Sequence, residues 1–176
     1  KELNIGGLKV PTCIVQGGMG VGISLSGLAS AVANEGGVGV ISAAGLGMIY
    51  KDPSQDYLTN CLTGLRKEIR KARLTSDGLI GVNIMVALSN YEDLVKTSID
   101  EGVDIVISGA GLPLDLPKYL TSGSRTRLIP IVSSARAAAL ICNKWLANYN
   151  YIPDAVIVEG PKAGGHLGFK PEQIFD

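Results

Sequence analysis

His166 is the one histidine of the chain and lies in a glycine-rich segment that follows a short apolar run. The segment is EGPKAGGHLG over residues 159–168, so two glycines directly precede the imidazole. Imidazole titrates near neutral pH and can take a proton from a substrate, which makes His166 a candidate general base. The sequence identifies no Asp or Glu that would orient the ring, so a surface or supporting histidine is the alternative.

Three more segments with small or polar residues follow apolar runs. The first, QGGMGVG over residues 16–22, can lay its backbone flat against a planar ligand, but it matches neither a Walker loop nor the dinucleotide fingerprint. Asn83 places an amide inside an apolar strand pattern, where it must bind either a structural partner or a ligand. The third, SGAGLP over residues 108–113, is a small-residue loop. A simple strand-to-helix turn is the alternative interpretation of both loops.

The sequence lacks the residue patterns that serine hydrolysis and metal binding require. There is no G-x-S-x-G nucleophile motif, no second histidine and no carboxylate cluster, so neither a serine hydrolase nor a metal site is predicted. Cys13, Cys61 and Cys142 are odd in number and widely spaced, which argues against disulfides and favours a reducing compartment.

Six short apolar runs rich in Val and Ile predict the strands that would carry these segments. Their hydrophobicity is continuous rather than alternating, as in parallel strands that are covered on both faces. The predicted strands are 12–15, 38–42, 79–85, 104–108, 128–133 and 155–159.

Helical patterns separate these strands. Ser24 or Ser26 is predicted to cap a helix that ends near residue 36, and Asn90 to cap another. Residues 55–73 have apolar side chains at helical spacing, residues 134–147 are rich in alanine, and Pro171 stands where a further helix could begin.

Strict strand and helix alternation predicts a parallel α/β fold, either an open doubly wound sheet or a (β/α)8 barrel. A complete barrel has eight strand–helix units and typically about 250 residues, whereas about six units fit here. If the fold is a barrel, residues 1–176 are therefore expected to form the N-terminal part of a single barrel domain, without strands seven and eight.

The composition narrows the class of partner. Lys and Arg number 16 and Asp and Glu number 16, so no attraction to nucleic acid or an anionic membrane surface is indicated. With 46% hydrophobic and 18% charged residues, the chain is expected to fold around a large core. No signal peptide or membrane-spanning run is present, so a soluble cytoplasmic protein is expected.

Five segments, in order, resemble the FMN-dependent nitronate monooxygenases, formerly called 2-nitropropane dioxygenases, and the related FMN-dependent enoyl-acyl-carrier-protein reductases. The resemblance extends over essentially the whole chain, and its most specific part is the loop that contains His166. The segments are 11–22, 36–45, 81–85, 108–113 and 154–168.

The resemblance implies a (β/α)8 barrel that binds FMN at the carboxyl ends of its strands. His166 matches the histidine thought to take a proton from the carbon next to a nitro group, giving a nitronate that can reduce the flavin. The cofactor-binding residues implied are Gly17, Gly18 and Met19 along the flavin, Asn83 at its polar ring edge, Glu159 and Gly160 beside the ribityl chain or ring, and Gly164 and Gly165 where the loop approaches it.

Two departures favour the reductase branch. Many nitronate enzymes have Gln where this chain has Glu159, and an aromatic residue in the loop that corresponds to residues 108–111. From the resemblance as a whole we expect FMN-dependent oxidation of alkyl nitronates or nitroalkanes by molecular oxygen. The two departures make an NAD(P)H-dependent, FMN-containing enoyl reductase the alternative.

A third hypothesis is a catalytically inactive truncated barrel. The FMN phosphate is usually held by the loops after strands seven and eight, which residues 1–176 are expected to lack. The expected partners are a small-molecule substrate and either a second copy of the chain or the missing C-terminal part.

Overall fold

The computed structural model describes residues 2–166, 168–170 and 172, and its centre is a parallel five-stranded sheet. An antiparallel hairpin of β1 (Leu3–Ile5) and β2 (Leu8–Val10) precedes the sheet. The sheet has the order β3-β4-β5-β6-β7, so each strand pairs with the next one along the chain. Its strands are β3 (Val38–Ser42), β4 (Leu79–Met85), β5 (Ile105–Gly109), β6 (Arg127–Val132) and β7 (Ile157–Val158).

Five α-helices and one 3-10 turn connect these strands. Four of the helices are longer than one turn and pack on the outside of the sheet, and the other is a single turn. The helices are α1 (Ser26–Asn34), α2 (Leu46–Ile49), α3 (Tyr57–Thr75), α4 (Tyr91–Asp100) and α5 (Ala135–Tyr149), and the 3-10 turn is Leu116–Tyr119. No helix in the described part of the chain is long and apolar enough to cross a membrane.

The two faces of the sheet bury different apolar clusters, which explains the continuous hydrophobicity of its strands. Outward side chains such as Ile41 and Val82 pack against the helices, including the buried Trp145 of α5. Inward side chains pack against the hairpin, which covers the amino-terminal end of the concave face. The inner cluster comprises Ile5, Val10, Val38, Val40, Ile105, Ile107 and Ile129.

The predicted strands inside the sheet are confirmed, whereas the strands at its edges are shorter than predicted. Residues 38–42 and 79–85 form strands with the predicted bounds, whereas the predicted strand 12–15 is reduced to one parallel bridge between Val15 and Val38. The predicted strand 155–159 is reduced to Ile157–Val158. Both shortened segments lie at an edge of the described sheet, where they pair on one side, and Val158 is 76% exposed.

The prediction that strands and helices alternate strictly is wrong between β5 and β6. The connection contains the 3-10 turn instead of an α-helix. Pro113 and Pro117 lack the amide hydrogen that an α-helix interior uses, and Gly111 has a φ of +136°, which an α-helix does not allow.

The predicted capping serines have other roles. Leu25 occupies the N-cap position of α1, so neither Ser24 nor Ser26 caps this helix through its side chain. Asn90 occupies the N-cap position of α4, although its side chain makes no capping bond to a described residue. Pro171 lies outside the described residues.

A carboxylate from α3 replaces the missing cap of α1. Oε2 of Glu68 accepts a hydrogen bond from the Ser26 amide at 2.6 Å, and Oε1 accepts from the hydroxyl of Tyr50 and from Nζ of Lys71 at 3.1 Å. Glu68 is 2% exposed, and burial alone would raise the pKa of its carboxyl. The hydrogen bonds from Tyr50, Ser26 and Lys71 outweigh burial and lower this pKa below its ordinary value.

Glu68→Gln tests this cap through the pH dependence of stability. Because the pKa of Glu68 is lower in the folded chain, its ionised form stabilises the fold above pH 4.5, the ordinary value, and this stabilisation disappears as pH falls through the folded pKa. We expect Glu68→Gln to lower the free energy of unfolding at pH 7 by about 2 kcal/mol and to flatten its decline below pH 4.5. Urea titrations at several pH values measure both effects, and the exposed Glu92→Gln is the control, with a smaller change expected. An unaltered pH profile in Glu68→Gln would contradict the role of this carboxylate.

The hairpin is fastened to the sheet at Gly6. The Gly6 carbonyl accepts a hydrogen bond from Nε of Arg127 at 2.6 Å, and Gly6 has a φ of +52°. A β-carbon added to Gly6 would overlap Oδ1 of Asp154 and lie 2.7 Å from Cδ of Arg127. Asp154 is itself fixed, because its Oδ2 accepts from the Leu128 amide at 2.9 Å.

Gly6→Ala is therefore expected to lower the free energy of unfolding by about 2–4 kcal/mol, from the left-handed conformation and the overlap together. Gly7→Ala is the matched control, since Gly7 also has a positive φ of +90° but the added β-carbon would be 3.9 Å from the nearest side-chain atom. In Gly7→Ala we expect the free energy of unfolding to fall by about 1 kcal/mol, because only the left-handed conformation opposes the substitution. Equal losses in the two variants, measured by denaturant unfolding, would show that the overlap with Asp154 is relieved without cost.

Candidate functional site

The glycine loop over residues 16–24 lies at the carboxyl-terminal end of the sheet and is held by a buried hydroxyl. Oγ of Ser24 donates to the Gly17 carbonyl at 2.9 Å and accepts from the Met19 amide at 3.0 Å. Ser24 is 0% exposed. One side chain thus fixes the two peptide groups that flank Gly18, so the loop has a defined backbone despite its glycines.

Gln16 attaches this loop to β3. Its Nε2 donates to the Val40 carbonyl at 2.9 Å and to Oγ of Ser24 at 3.1 Å, while its Oε1 accepts from the Val40 amide at 3.2 Å. The carboxamide therefore binds both backbone groups of Val40, as a neighbouring strand would. The Gln16 side chain thus continues the pairing with β3 beyond Val15, where the backbone bridge of the predicted strand 12–15 ends.

The loop brings Gly18 against Asn83 of β4. A β-carbon on Gly18 would lie 2.6 Å from Nδ2 and 2.7 Å from Cγ of Asn83, so only glycine allows this approach. Asn83 is half-buried, and its backbone carbonyl accepts from the Ala43 amide at 3.0 Å. Within the described chain its side-chain amide has no hydrogen-bond partner, although a partly buried amide usually has one. The Asn83 amide is thus available to a ligand.

The glycine-rich segment after β7 returns to the end of β6. The Glu159 amide donates to the Val132 carbonyl at 2.8 Å, and Oγ of Ser133 donates to the Gly168 carbonyl at 3.3 Å. A β-carbon added to Gly160, Gly164 or Gly165 would meet no described atom within 4 Å. These three glycines therefore leave open space beside the sheet end.

The predicted site residues are only partly brought together. Gly18 and Asn83 are in contact, Met19 is 47% exposed next to them, and Glu159 is half-buried at the end of β7. His166 is exposed, and its ring forms no hydrogen bond with any described residue. Its assignment as a base stays a prediction.

Sequence reasoning missed Gln16 and Ser24. In the sequence Gln16 is only the first residue of the glycine segment, and the position of Ser24 predicts a helix cap. A polar residue directly after an apolar strand is the available signal for Gln16. The partners of Ser24 lie in its own loop, so its contacts follow from the loop conformation rather than from a helix pattern.

These residues fit a planar heterocycle with hydrogen-bonding groups at its edge, as the predicted flavin has. The backbone at Gly17 is exposed, and a β-carbon added there would meet no described atom within 4 Å, which leaves a flat surface. Asn83 supplies one donor group and one acceptor beside it. No group of three or more His, Cys, Asp or Glu residues suited to a metal ion occurs among the described residues.

The sheet is a curled parallel half-barrel, and α/β barrel enzymes bind their ligands at the carboxyl-terminal ends of the strands. The glycine loop and Asn83, whose side chain has no partner among the described residues, lie at that end. The family model for nitronate monooxygenase matches residues 1–97 and 86–175. The chain therefore belongs to the nitronate monooxygenase family, which is a family of oxidoreductases.

Solved structures agree with the predicted barrel and with the predicted relation to the reductases. FabK from Thermotoga maritima is 33% identical, with a TM-score of 0.67, and the match covers 87% of this chain and 42% of that one. A nitroalkane oxidase from Streptomyces ansochromogenes has the same fold at 22% identity, with a TM-score of 0.71 and coverage of 93% and 51%. The predicted barrel class and family relation are confirmed.

One relative is named for a different activity. A (3aS,4S,5R,7aS)-5-hydroxy-7a-methyl-1-oxo-octahydro-1H-indene-4-carboxyl-CoA dehydrogenase from Mycobacterium tuberculosis is 30% identical over 155 residues, which is 88% of this chain and 37% of that protein. The chain thus spans less than half the length of this relative.

Ser24→Ala tests whether the hydroxyl fixes the glycine loop. We expect faster amide hydrogen exchange at Met19 and a loss of about 1–3 kcal/mol in the free energy of unfolding, because the Gly17 carbonyl and the Met19 amide each lose a hydrogen bond to the buried hydroxyl. The two groups would keep only the 3.2 Å hydrogen bond from the Met19 amide to the Gly17 carbonyl. Ser30→Ala is the control, since the Ser30 hydroxyl donates to the Ser26 carbonyl within α1. Unchanged exchange at Met19 would show that the loop is held by other contacts.

Proposed function

We propose that this chain is part of an FMN-dependent oxidoreductase that oxidises alkyl nitronates or nitroalkanes with molecular oxygen. The observation that carries this proposal is the Asn83 amide, which has no partner among the described residues and faces Gly18 in the glycine loop. Membership of the nitronate monooxygenase family supports the same reaction.

Each residue of the site has a role in holding the cofactor. The backbone of Gly17, Gly18 and Met19 would lie against the flavin ring, and the Asn83 amide would bind its polar edge. Glu159 and Gly160 would lie beside the ribityl chain or ring. Gly164 and Gly165 would let their loop approach the cofactor without a steric barrier.

His166 would act on the substrate. FMN, when bound, accepts electrons from the substrate and supplies the redox chemistry that no side chain offers. His166 would take the proton from the carbon next to the nitro group, and the exposed position of its ring lets a small molecule reach it. The adjacent Gly164 and Gly165 allow the loop to bring the ring to the substrate.

A second candidate is an NAD(P)H-dependent, FMN-containing reductase of an activated double bond. Identity to FabK is 33%, against 22% to the nitroalkane oxidase, and Glu159 replaces the Gln of many nitronate enzymes. Rapid anaerobic reduction of the flavin by NAD(P)H without a nitro compound would favour this reductase.

The half-barrel also presents an exposed edge. Val158 is 76% exposed, and its strand β7 pairs with β6 on one side. We propose that a second copy or a C-terminal part of a longer protein covers this edge, since an unpaired strand edge is a template for further strands. A truncated, inactive barrel remains the alternative, and a visible spectrum taken with the intact mass separates it from a flavin enzyme.

Two substitutions separate cofactor binding from catalysis. Asn83→Ala is expected to weaken flavin retention about tenfold, because a hydrogen-bonding group at the ring edge is lost. His166→Asn is expected to keep the flavin but to impair turnover of neutral nitroalkanes more than that of preformed nitronates, since only the neutral substrate needs a base. Flavin absorbance after gel filtration and oxygen consumption with both substrates measure these effects in the complete enzyme.

Each variant serves as the control for the other. Unchanged flavin retention in Asn83→Ala would make that amide structural. Equal losses with nitroalkane and nitronate in His166→Asn would refute its assignment as a base.

A further inference from the structure

Large apolar side chains are exposed directly beside the glycine loop. Val21 is 48% exposed, Met48 61% and Ile49 42%. They form one strip across two segments, because a β-carbon on Gly45 would lie 2.6 Å and 2.7 Å from the two Val21 methyl groups and 2.9 Å from Cε of Met48. Exposed apolar residues that cluster in this way mark binding surfaces more often than scattered ones do.

The strip leads from the glycine loop to a cavity at the start of α3. The cavity has a volume of about 600 Å³, and Met48 belongs both to its wall and to the apolar strip. The cavity is broadly open to solvent and is therefore accessible to a small molecule. The remaining wall residues are Gly47, Lys51, Asp52, Pro53, Gln55, Tyr57 and Asn60.

Two polar side chains of the cavity wall, those of Asp52 and Asn60, are already hydrogen-bonded to neighbouring residues. Oδ1 of Asp52 accepts from the amide and hydroxyl of Ser54 at 2.9 Å and 2.7 Å, and the Asn60 side chain binds the backbone of Asp52 at 3.2 Å through both of its polar atoms. Lys51 is exposed and forms no ion pair with any described carboxylate. It is the positive group on this wall that is left for a ligand.

The opposite end of the strip meets the proposed flavin residues. Gly20 is packed closely, since a β-carbon added there would lie 3.0 Å from Cβ of Ala44 and 3.2 Å from Oγ of Ser42. Ser42 pairs with Asn83 in the register of β3 and β4. The chain of contacts therefore runs from Asn83 through Ser42, Gly20 and Val21 to Met48.

We propose that the strip and the cavity bind the non-reacting part of the substrate, an apolar carbon skeleton with an anionic group that pairs with Lys51. This inference rests on the proposed function, because it assigns the reacting carbon to the Asn83 end and the anionic group to the Lys51 end. Burial of Val21 and Met48 against the substrate would supply affinity, and the Lys51 ammonium would fix its orientation. The dehydrogenase relative, whose name includes an apolar ring system and a carboxyl-CoA group, acts on a molecule of this amphipathic kind.

The test uses octanoate and 1-octanol as probes of the full chain. Methionine methyl groups labelled with carbon-13 report binding, because the chain has three methionines and Met48 is the one in the cavity wall. We expect octanoate to shift the Met48 signal saturably. In Lys51→Met the octanoate affinity should fall about fivefold while that for 1-octanol is unchanged, since only the anion loses an ion pair.

Two further variants make the result specific. Lys9→Met removes an exposed cation from β2, which packs at the other end of the sheet, and should leave both affinities unchanged. Met48→Gln should weaken both probes, because it removes apolar contact from the strip. Octanoyl-CoA and free CoA then distinguish a thioester from a free carboxylate as the source of the anionic group.

An absent Met48 shift, or equal octanoate affinity with and without Lys51, would overturn the inference. Flavin absorbance on the same samples reports the proposed function separately. Bound flavin without octanoate binding refutes the role of the strip and cavity alone. Lys51-dependent octanoate binding by the complete enzyme, when that enzyme takes up no FMN, refutes the flavin proposal and leaves the role of the strip and cavity supported.

Discussion

The Ser24 hydroxyl is the contact on which the candidate site depends. A run with four glycines in seven residues would have many backbone conformations, and fixing each residue in one of them costs roughly 1–2 kcal/mol. The buried hydroxyl binds the peptide groups on both sides of Gly18, and Gln16 fastens the same hydroxyl to β3. The flat surface beside Asn83 therefore results from a polar anchor beneath it, and the glycines supply only the space.

The sequence predicts the regular part of the fold well. The strands 38–42 and 79–85 follow from continuous apolar runs, because burial on both faces leaves a strong local signal. Edge segments such as 12–15 lack a partner on one side, so their propensity is not reinforced and they shorten. The hairpin at Gly6 and Gly7 is not among the predicted elements, although two adjacent glycines between apolar residues are a hairpin signal.

The candidate site is predictable only in part, since its hydrogen bonds depend on three-dimensional proximity. Ser24 has the sequence context of a helix cap, yet Glu68 supplies the bond to the helix start from 42 residues away. The apolar strand pattern singles out Asn83, and the resemblance to the family assigns Asn83 and the glycines to a flavin. The structure adds that Gly18 and Asn83 are in contact. The same half-barrel occurs in a nitroalkane oxidase and in FabK, so the frame alone does not select the substrate.

The hairpin at the start of the chain has a consequence for the order of folding. Its hydrogen bond from Arg127 to Gly6 joins residues that are 121 positions apart, and its apolar side chains pack on β3, β5 and β6. Such distant contacts close large loops and form slowly. On the ribosome the hairpin is made before the sheet, and its docking surface is complete only after β6 has been synthesised. Until then Ile5 and Val10 stay in water, so they reach their native contacts later than many residues that are synthesised after them.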